Sequence, residues 1–561
     1  MPATSPSPGG SRGGARRWWP VIVLVVIALV LAAVLVPRLT GDPDSPRPTA
    51  SPTASPTQDP ADQLLAEGYD PDPGPFSLPD PAEGEKAAQD PVSVRLRASK
   101  DATTWGENLG LSFEATDLAS PVWGSQDSNI DEMLGAMDHP VLRFGGNSVD
   151  RRMWWTSSDE PAPDWAEATV TPADLERVAR AARKAEATVI LTVDLGHEDP
   201  QRAADMVAHA KDAFGDLLQG VSIGNEPNGF HDPQQKHLEA RGSSWGPAAY
   251  TSQLEDYASA IREEAPGTPI VGPGAYDAPW WRAFADSGVR DKTAMTMHWY
   301  PLWDCQGPAS SIANPTVDDL TSPKLRAQAR KLVGMGKEAA DAADLPLWMG
   351  ETGPTSCPGT NQTSRTHAQA LWTGDYALTA AESGAELMAF HSTLGACRGG
   401  APMSPLCARG TKDDPAQILQ GRTSFLALLQ LGQIAEGRVL TPTVSGSGRV
   451  MAHGVMSEDG TLSIVLVDMR DPSSDEGPAP VRISAPSGVG KDAPDQWHPE
   501  QGSQLTGGSL EGHSSTLGAM APVDEDLRSR TLSRGDPITL ESEPGSTTVI
   551  RLAPGPQAST D

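Results

Sequence analysis

Between residues 105 and 430, short apolar runs alternate with stretches of helical period. The runs cover 109–113, 141–144, 188–193, 221–223, 270–271, 294–299, 347–349 and 386–390, and turn-forming residues bound them. The clearest helical stretch opens with Thr171 and Pro172 as cap and first turn. It carries Leu175, Val178, Ala179 and Ala182 on one face. Others run through 250–264, 325–343 and 367–383. Eight strands separated by helices predict an α/β fold, a (β/α)8 TIM barrel over 105–430. A doubly wound open sheet is the alternative, but no Gly-x-Gly-x-x-Gly follows the first strand.

After residue 430 the helical period stops. Short strands at 449–456, 462–468, 481–484, 538–540 and 548–552, between Gly, Pro, Ser and Asp clusters, predict a C-terminal β-sandwich over 431–561. Val92–Arg97 alternates apolar and polar residues, so 91–104 is expected to supply a strand to that sandwich. Residues 38–90 read as a Pro/Ser/Thr-rich linker that cannot bury a core. Residues 1–37 read as a cytoplasmic tail and a signal anchor. Arg12, Arg16 and Arg17 precede the apolar run 21–36, which places the N-terminus inside and predicts a single-pass cell-membrane protein with an extracellular catalytic domain. A cleaved signal peptide, giving a secreted protein, is the competing reading.

Composition narrows the partners. A formal net charge of -30 over 561 residues excludes nucleic acid as the main partner. It also disfavours long polyanionic chains as substrate. The four cysteines, Cys305, Cys357, Cys397 and Cys407, are clustered and lack Cys-x-x-Cys spacing, so disulfides are expected rather than a structural zinc. Pairing Cys305 with Cys357 and Cys397 with Cys407 would brace the loops after strands six to eight.

Two strand ends carry the chemistry. Val221-Ser222-Ile223-Gly224 runs into Asn225-Glu226-Pro227, where proline stops the strand. Pro346-Leu347-Trp348-Met349-Gly350 runs into Glu351. Counting strands puts Glu226 at the end of the fourth and Glu351 at the end of the seventh. In a barrel every strand's carboxyl end opens on one face, so the two glutamates meet across one mouth. Two carboxyls so placed suit glycoside hydrolysis. Of seven tryptophans near strand ends, Trp154, Trp155, Trp245, Trp280, Trp281, Trp299 and Trp303, two or three are expected to offer faces to sugar rings and the others to be core. His298 and His391 lack a partnered ligand set, so a hydrogen-bonding role is expected for them and no metal or cofactor.

Asn225-Glu226-Pro227, Glu351 and His298-Trp299-Tyr300-Pro301 resemble the elements of clan A retaining glycoside hydrolases. Gly110-Leu111-Ser112-Phe113-Glu114-Ala115 and Val141-Leu142-Arg143-Phe144-Gly145-Gly146-Asn147-Ser148-Val149-Asp150 resemble strands one and two of glycoside hydrolase family 79, the β-glucuronidase and heparanase-like group. The resemblance spans residue 92 to the C-terminus. It implies Glu226 as general acid/base and Glu351 as nucleophile, with Tyr300 and Arg143 donating to Glu351. It also implies Asn225 on the sugar 2-hydroxyl, Glu114 assisted by Asn147 on a distal hydroxyl, and His298 in the same site. Gly359 stands where that group holds the uronate carboxylate, and Arg151 and Arg152 are alternative clamps. The implied function is exo-acting β-glucuronidase-like hydrolysis of a glycan or glycoside, without cofactor. A β-xylosidase or β-glucosidase of the same clan is the alternative among enzymes, and a non-catalytic glycan-binding surface protein the alternative outside them.

Overall fold

The eight apolar runs form parallel strands: β1 Leu109–Glu114, β2 Val141–Gly145, β3 Thr188–Val193, β4 Leu218–Ile223, β5 Ile270–Ala275, β6 Lys292–Trp299, β7 Leu347–Thr352 and β8 Ala385–Ser392. In a computed structural model they close into a barrel in chain order, with β8 paired to β1. The structure describes residues 67–555, apart from 88–90, 101, 107–108, 233–235, 237–238, 304–314, 357–361, 411–414, 447 and 491–492.

Sequence explains both the ring of helices and the filling of the barrel. Pro172–Lys184 begins with a capping box in which Asp174 accepts the Thr171 N–H at 2.8 Å, and it buries the expected face, Leu175, Val178, Ala179 and Ala182. Inside the barrel, Val141, Ile190, Val271, Ala294, Trp348 and Leu387 form a separate apolar cluster that fills its base. Two residues beyond the plug come the polar Arg143, Thr192 and Thr296, and β1 and β4 add Ser112 and Ser222, all buried. A chain that stacks polar groups above an apolar plug is building a site at the strands' carboxyl ends.

Beyond Leu431 the chain forms β9 Gly437–Ser445, β10 Val450–Met456, β11 Leu462–Asp468, β12 Ala479–Ser487, β13 Gln496–Thr506, β14 Ile538–Ser542 and β15 Ser546–Pro554. The Val92–Arg97 strand lies between β9, antiparallel to it, and β12, parallel to it. Val94, Ile464, Ile483, Trp497, Leu540 and Ile550 share one core although they come from strands spread along the whole sheet. The sheet therefore folds over itself as a sandwich. Its other face packs on the barrel helices: Met451, Val465 and Val549 belong to the same core as Leu371, Tyr376 and Phe425. β13 carries few β-branched residues and contains Pro499, which explains why it does not read as a strand. The ladder with β15 shifts register between Pro499 and Gln501, and at such an irregularity a proline is tolerated.

Within the stretch read as linker, Tyr69–Asp70 pairs with Thr516–Gly518, and Phe76 accepts from and donates to the backbone at Pro522–Asp524. These two aromatics are what residues 1–66 lack after the apolar run. The expectation of a cell-membrane protein is corrected here. Among the described residues no helix is long and apolar enough to cross a membrane. The long helix Pro323–Asp341 carries Lys324, Arg326, Arg330, Lys331, Lys337, Glu338 and Asp341. The run 21–36 lies outside the described residues, as do Gly359, Cys305 and Cys357 and therefore their pairing. Cys397 and Cys407 form a disulfide in the segment after β8.

A buried charge cluster joins the two layers. His453 on β10 reaches Glu382 at 2.5 Å and Asp375 at 3.0 Å, both on helix His367–Glu382. Arg326 pairs with Asp375, and Arg330 with Glu382 at 3.1 Å. Burial lowers the His453 pKa, but Glu382 and Asp375 outweigh it and the net shift is upward. Burial raises Asp375, but Arg326 and His453 outweigh it and the net shift is downward. The contribution of His453 is thus complete below its unfolded pKa of about 6.5 and is lost as pH rises through its folded value. That of Asp375 is complete above about 3.9 and is lost as pH falls. Since breaking a buried pair costs about 3–5 kcal/mol, His453→Gln should lower unfolding stability by about 3 kcal/mol at mildly acidic pH and flatten the decline of Tm toward alkaline pH. Denaturant and thermal melts across pH check this, and an unchanged alkaline slope in the variant contradicts it.

Candidate active site

The polar layer converges on Arg143. Its guanidinium, 2% exposed, donates to Ser112 Oγ on β1 at 2.8 Å, to Glu351 Oε2 on β7 at 2.8 Å, and to Asn225 Oδ1 beyond β4 at 2.7 Å. The paired glycines that follow Phe144 make room for this. A Cβ on Gly145 would come within 2.7 Å of that guanidinium. Gly146, at φ +66°, occupies a left-handed conformation, and a Cβ there would meet the Glu114 carboxyl at 2.6 Å.

Glu351 is 5% exposed, and each of its oxygens is held. Oε2 takes the Arg143 donor, Oε1 accepts from the Tyr300 hydroxyl at 2.7 Å, and His391 Nδ1 lies 3.0 Å from Oε1, off the line of a hydrogen bond. Burial on its own raises the Glu351 pKa, yet His391, His298 and Arg143 outweigh it and hold the carboxyl well below the usual range. Burial likewise pulls His391 down, but Glu351 and Glu114 lift it to about 9, so the ring is cationic at neutral pH. Burial together with Glu351 and Glu226 pushes the Tyr300 hydroxyl well above its ordinary value, which keeps its proton in place to donate.

Glu226 sits at φ +48°, a left-handed conformation forced between Asn225 and Pro227 that costs on the order of 1 kcal/mol. Three contacts fix it. Its N–H donates to Gly274 O on β5 at 3.1 Å, its own carbonyl accepts the Gly229 N–H at 2.8 Å, and Oε1 lies 3.0 Å from His298 Nδ1. β6 shifts register against β7 between Met297 and His298, which sets His298 opposite Glu351. Such irregularities re-aim side chains beside sites. The remaining His298 nitrogen is buried without a hydrogen-bond partner, against Gly274 and Gly350. One carboxylate oxygen each of Glu226 and Glu351 and a ring nitrogen of His298 all lie within 4.8 Å of one another. That spacing could hold a cation, but both oxygens of Glu351 already accept hydrogen bonds and the Arg143 guanidinium stands beside them, which makes the trio a poor cation site.

Asn225 is carried by Asp150, a residue to which the sequence alone assigns no task. Asp150 accepts the N–H groups of Asn225 at 2.8 Å, Leu195 at 2.8 Å and Gly196 at 3.1 Å, so one carboxylate joins the ends of β3 and β4. Burial and the neighbouring Asp194 push its pKa up to about 7. The amide nitrogen of Asn225 is buried with no hydrogen-bond partner.

Glu114 accepts the Ser148 N–H at 2.8 Å and lies 3.6 Å from Arg152 and 3.8 Å from His391. Arg143, Asn225, Tyr300 and Glu351 are therefore linked by direct contacts, His391 lies between Glu351 and Glu114, and the Glu226–His298 pair stands within 4.8 Å of Glu351. Asn147 departs from the expectation: its side chain accepts from Arg151 at 3.3 Å, and Arg151 lies over the Phe230 ring. The tryptophans divide between core and surface layers. Trp155, Trp280, Trp281 and Trp299 are buried in the main core, Trp154 lies beneath the Arg202 guanidinium, and Trp245 stacks on Phe230 and donates to Pro227 O at 2.7 Å. The side chain of Trp303 is outside the described residues. Large aromatics following short strands are needed to seal strand against helix, which outcompetes display at the mouth. His391 and Ser112 carried a signal: each lies in a barrel strand, in phase with the residues that face the site.

No protein-family model matches this chain, and no curated protein matches its sequence. Its fold is similar to that of a 4-O-α-L-rhamnosyl-β-D-glucuronidase from Fusarium oxysporum 12S, at TM-score 0.60 and 16% identity, covering 82% of this chain and 99% of that one. It is also similar to a family 51 arabinofuranosidase from Xanthomonas axonopodis pv. citri, at TM-score 0.58 and 14% identity over 83% and 100% of the two chains. A family 44 xyloglucanase from Paenibacillus polymyxa follows at TM-score 0.53 and 10% identity, over 82% and 99%. The chain thus shares the barrel-and-sandwich fold of these glycoside hydrolases along nearly their whole length.

Proposed function

We propose that this protein is a retaining glycoside hydrolase in which Glu351 is the nucleophile and Glu226 the general acid/base. The observation that carries this reading is the spacing of the two carboxylates, with oxygens within 4.8 Å across the barrel mouth. Retaining enzymes hold their two carboxyls about 5–5.5 Å apart, while inverting ones leave room for a water. The environments fit the division of labour. Glu351 is kept ionised by cations and a hydroxyl donor, as a nucleophile must be.

Glu351 attacks the anomeric carbon while Glu226 delivers its proton to the glycosidic oxygen. The carbon–oxygen bond breaks and a glycosyl ester forms on Glu351. Glu226, now a carboxylate, then takes a proton from water, whose oxygen attacks the same carbon and frees Glu351. The unpartnered Asn225 amide nitrogen suits donation to the sugar 2-hydroxyl, and the Arg143 bond to Oδ1 fixes which way that amide faces. Glu114, with Arg152 and His391 beside it, would read the far side of the terminal sugar. Those two cations favour a uronate there, as does the fold likeness to a glucuronidase, so the substrate we favour is a terminal β-D-glucuronide cleaved in exo mode.

The test is hydrolysis of 4-nitrophenyl β-D-glucuronide, β-D-xyloside, β-D-glucoside and α-L-arabinofuranoside by wild type, Glu351→Ala and Glu226→Ala. Glucuronide turnover should be abolished in Glu351→Ala. In Glu226→Ala it should fall because water is no longer activated to free Glu351, and be partly restored by azide, which needs no general base. Turnover of a neutral glycoside alone would retain the mechanism and remove the uronate, and a silent panel would remove both. His391 is the charge that does most to hold the Glu351 carboxyl down. In His391→Gln the acid limb of kcat/KM should move to higher pH, since Glu351 then protonates more readily. An acid limb that stays in place contradicts that role.

A further inference from the structure

The acid/base side of the cleft carries an aromatic ring that the steps above do not use. Among the described residues, Tyr276 and Met335 are the only exposed large hydrophobic side chains, at 46% and 40%. Met335 lies on the outer helix Pro323–Asp341, whereas Tyr276 stands just beyond the carboxyl end of β5. The β5 end is tied to the acid/base, because Gly274 O accepts the Glu226 N–H at 3.1 Å. The ring leans over the turn that follows Glu226: a Cβ on Gly229 would lie 3.5 Å from the Tyr276 hydroxyl and meet nothing else. Its place marks it out: it is in contact with the loop that carries the acid/base, and it offers a flat apolar face with a polar tip.

Position then decides the partner. A general acid protonates the oxygen of the departing group, so that group lies on the acid's side of the scissile bond, away from Glu351. Tyr276 is on that side, while Glu114, Arg143 and His391 surround the opposite one. Asp277 adjoins Tyr276 in the chain, and Glu226 opens the turn the ring leans over. Burial raises its hydroxyl pKa, and Glu226, Asp277 and Asp232 add to the rise. On the sugar side Arg143, Arg152 and His391 outnumber the Glu351 and Glu114 carboxylates they face, whereas on the leaving-group side Asp277 puts an anion next to the ring. On the reading of Glu226 as acid/base, we infer that Tyr276 is the platform for the leaving group, and that this group is an uncharged ring, a neutral sugar or an aryl unit, rather than an anionic one.

The test separates this inference from the proposed activity by using thioglycosides, which bind without being cleaved. Calorimetric Kd values for phenyl 1-thio-β-D-glucuronide, 4-carboxyphenyl 1-thio-β-D-glucuronide and methyl 1-thio-β-D-glucuronide are compared in wild type, Tyr276→Ala, Tyr276→Phe and Asp277→Asn. Wild type should prefer phenyl over methyl by about tenfold, a factor typical of one aromatic contact. Tyr276→Ala should erase that preference with methyl binding unchanged, and Tyr276→Phe should keep it. At low salt the carboxyphenyl compound should bind several-fold more weakly than phenyl, and Asp277→Asn should narrow the gap. A phenyl preference that survives Tyr276→Ala, an equal loss on phenyl and methyl, or no binding of any of the three by wild type overturns the inference. Loss of glycosidase activity from the account would appear separately, as wild-type binding of the thioglycosides with no turnover of 4-nitrophenyl β-D-glucuronide.

Discussion

The Arg143 guanidinium is the interaction on which the mouth of the barrel depends. It bonds at once to Ser112, Asn225 and Glu351, residues from β1, the β4 end and β7, so three strands far apart in sequence are fixed by one rigid fork. Burying that cation would be prohibitive on its own. It is tolerated because Glu351 neutralises it and because its fork meets three oxygens at hydrogen-bond distance. The dependence is mutual, since Glu351 could not stay ionised in so buried a place without Arg143, His391 and the Tyr300 hydroxyl. The structure therefore couples stability to chemistry: the same contacts that make the buried charges bearable set the protonation states a double displacement needs.

Around this centre, the backbone is bent to suit the side chains. Glu226 holds a left-handed conformation, β6 slips register to bring His298 opposite Glu351, and Asp150 spends a buried carboxylate on three N–H groups. Each is unfavourable locally and persists because packing elsewhere is abundant. The plug of Val141, Ile190, Val271, Ala294, Trp348 and Leu387 below, and the sandwich against the outer helices, supply that margin.

Much of this was legible in the chain. Short apolar runs bounded by turn residues, too short for helices and alternating with helical stretches, marked all eight barrel strands. Glu226 and Glu351 were legible because a carboxylate ending such a run has nowhere to go except the barrel mouth. β13 was missed because Pro499 and Gly502 mask a strand that uses a register shift to accommodate proline. Tyr69 and Phe76 were missed because two aromatics in a Pro-rich stretch dock on a surface made by residues more than four hundred positions later. The tryptophans could not be sorted from sequence, because a position at a strand end suits both stacking on sugars and sealing the core, where Trp155, Trp280, Trp281 and Trp299 lie. Membrane attachment rested on residues 21–36, outside the described residues, and the described helices lend it nothing.

The central claim is that the reaction passes through a covalent ester on Glu351, and trapping that ester tests it most directly. A 2-deoxy-2-fluoro-β-D-glucuronyl fluoride slows both displacement steps but lets the first outrun the second, so the intermediate accumulates. After incubation and proteolysis, mass spectrometry should find the fluorosugar mass on the peptide containing Glu351, and Glu351→Gln should carry no label. Label on the peptide containing Glu226, or an unlabelled enzyme that turns over a β-glucuronide with inversion at the anomeric carbon, would contradict it.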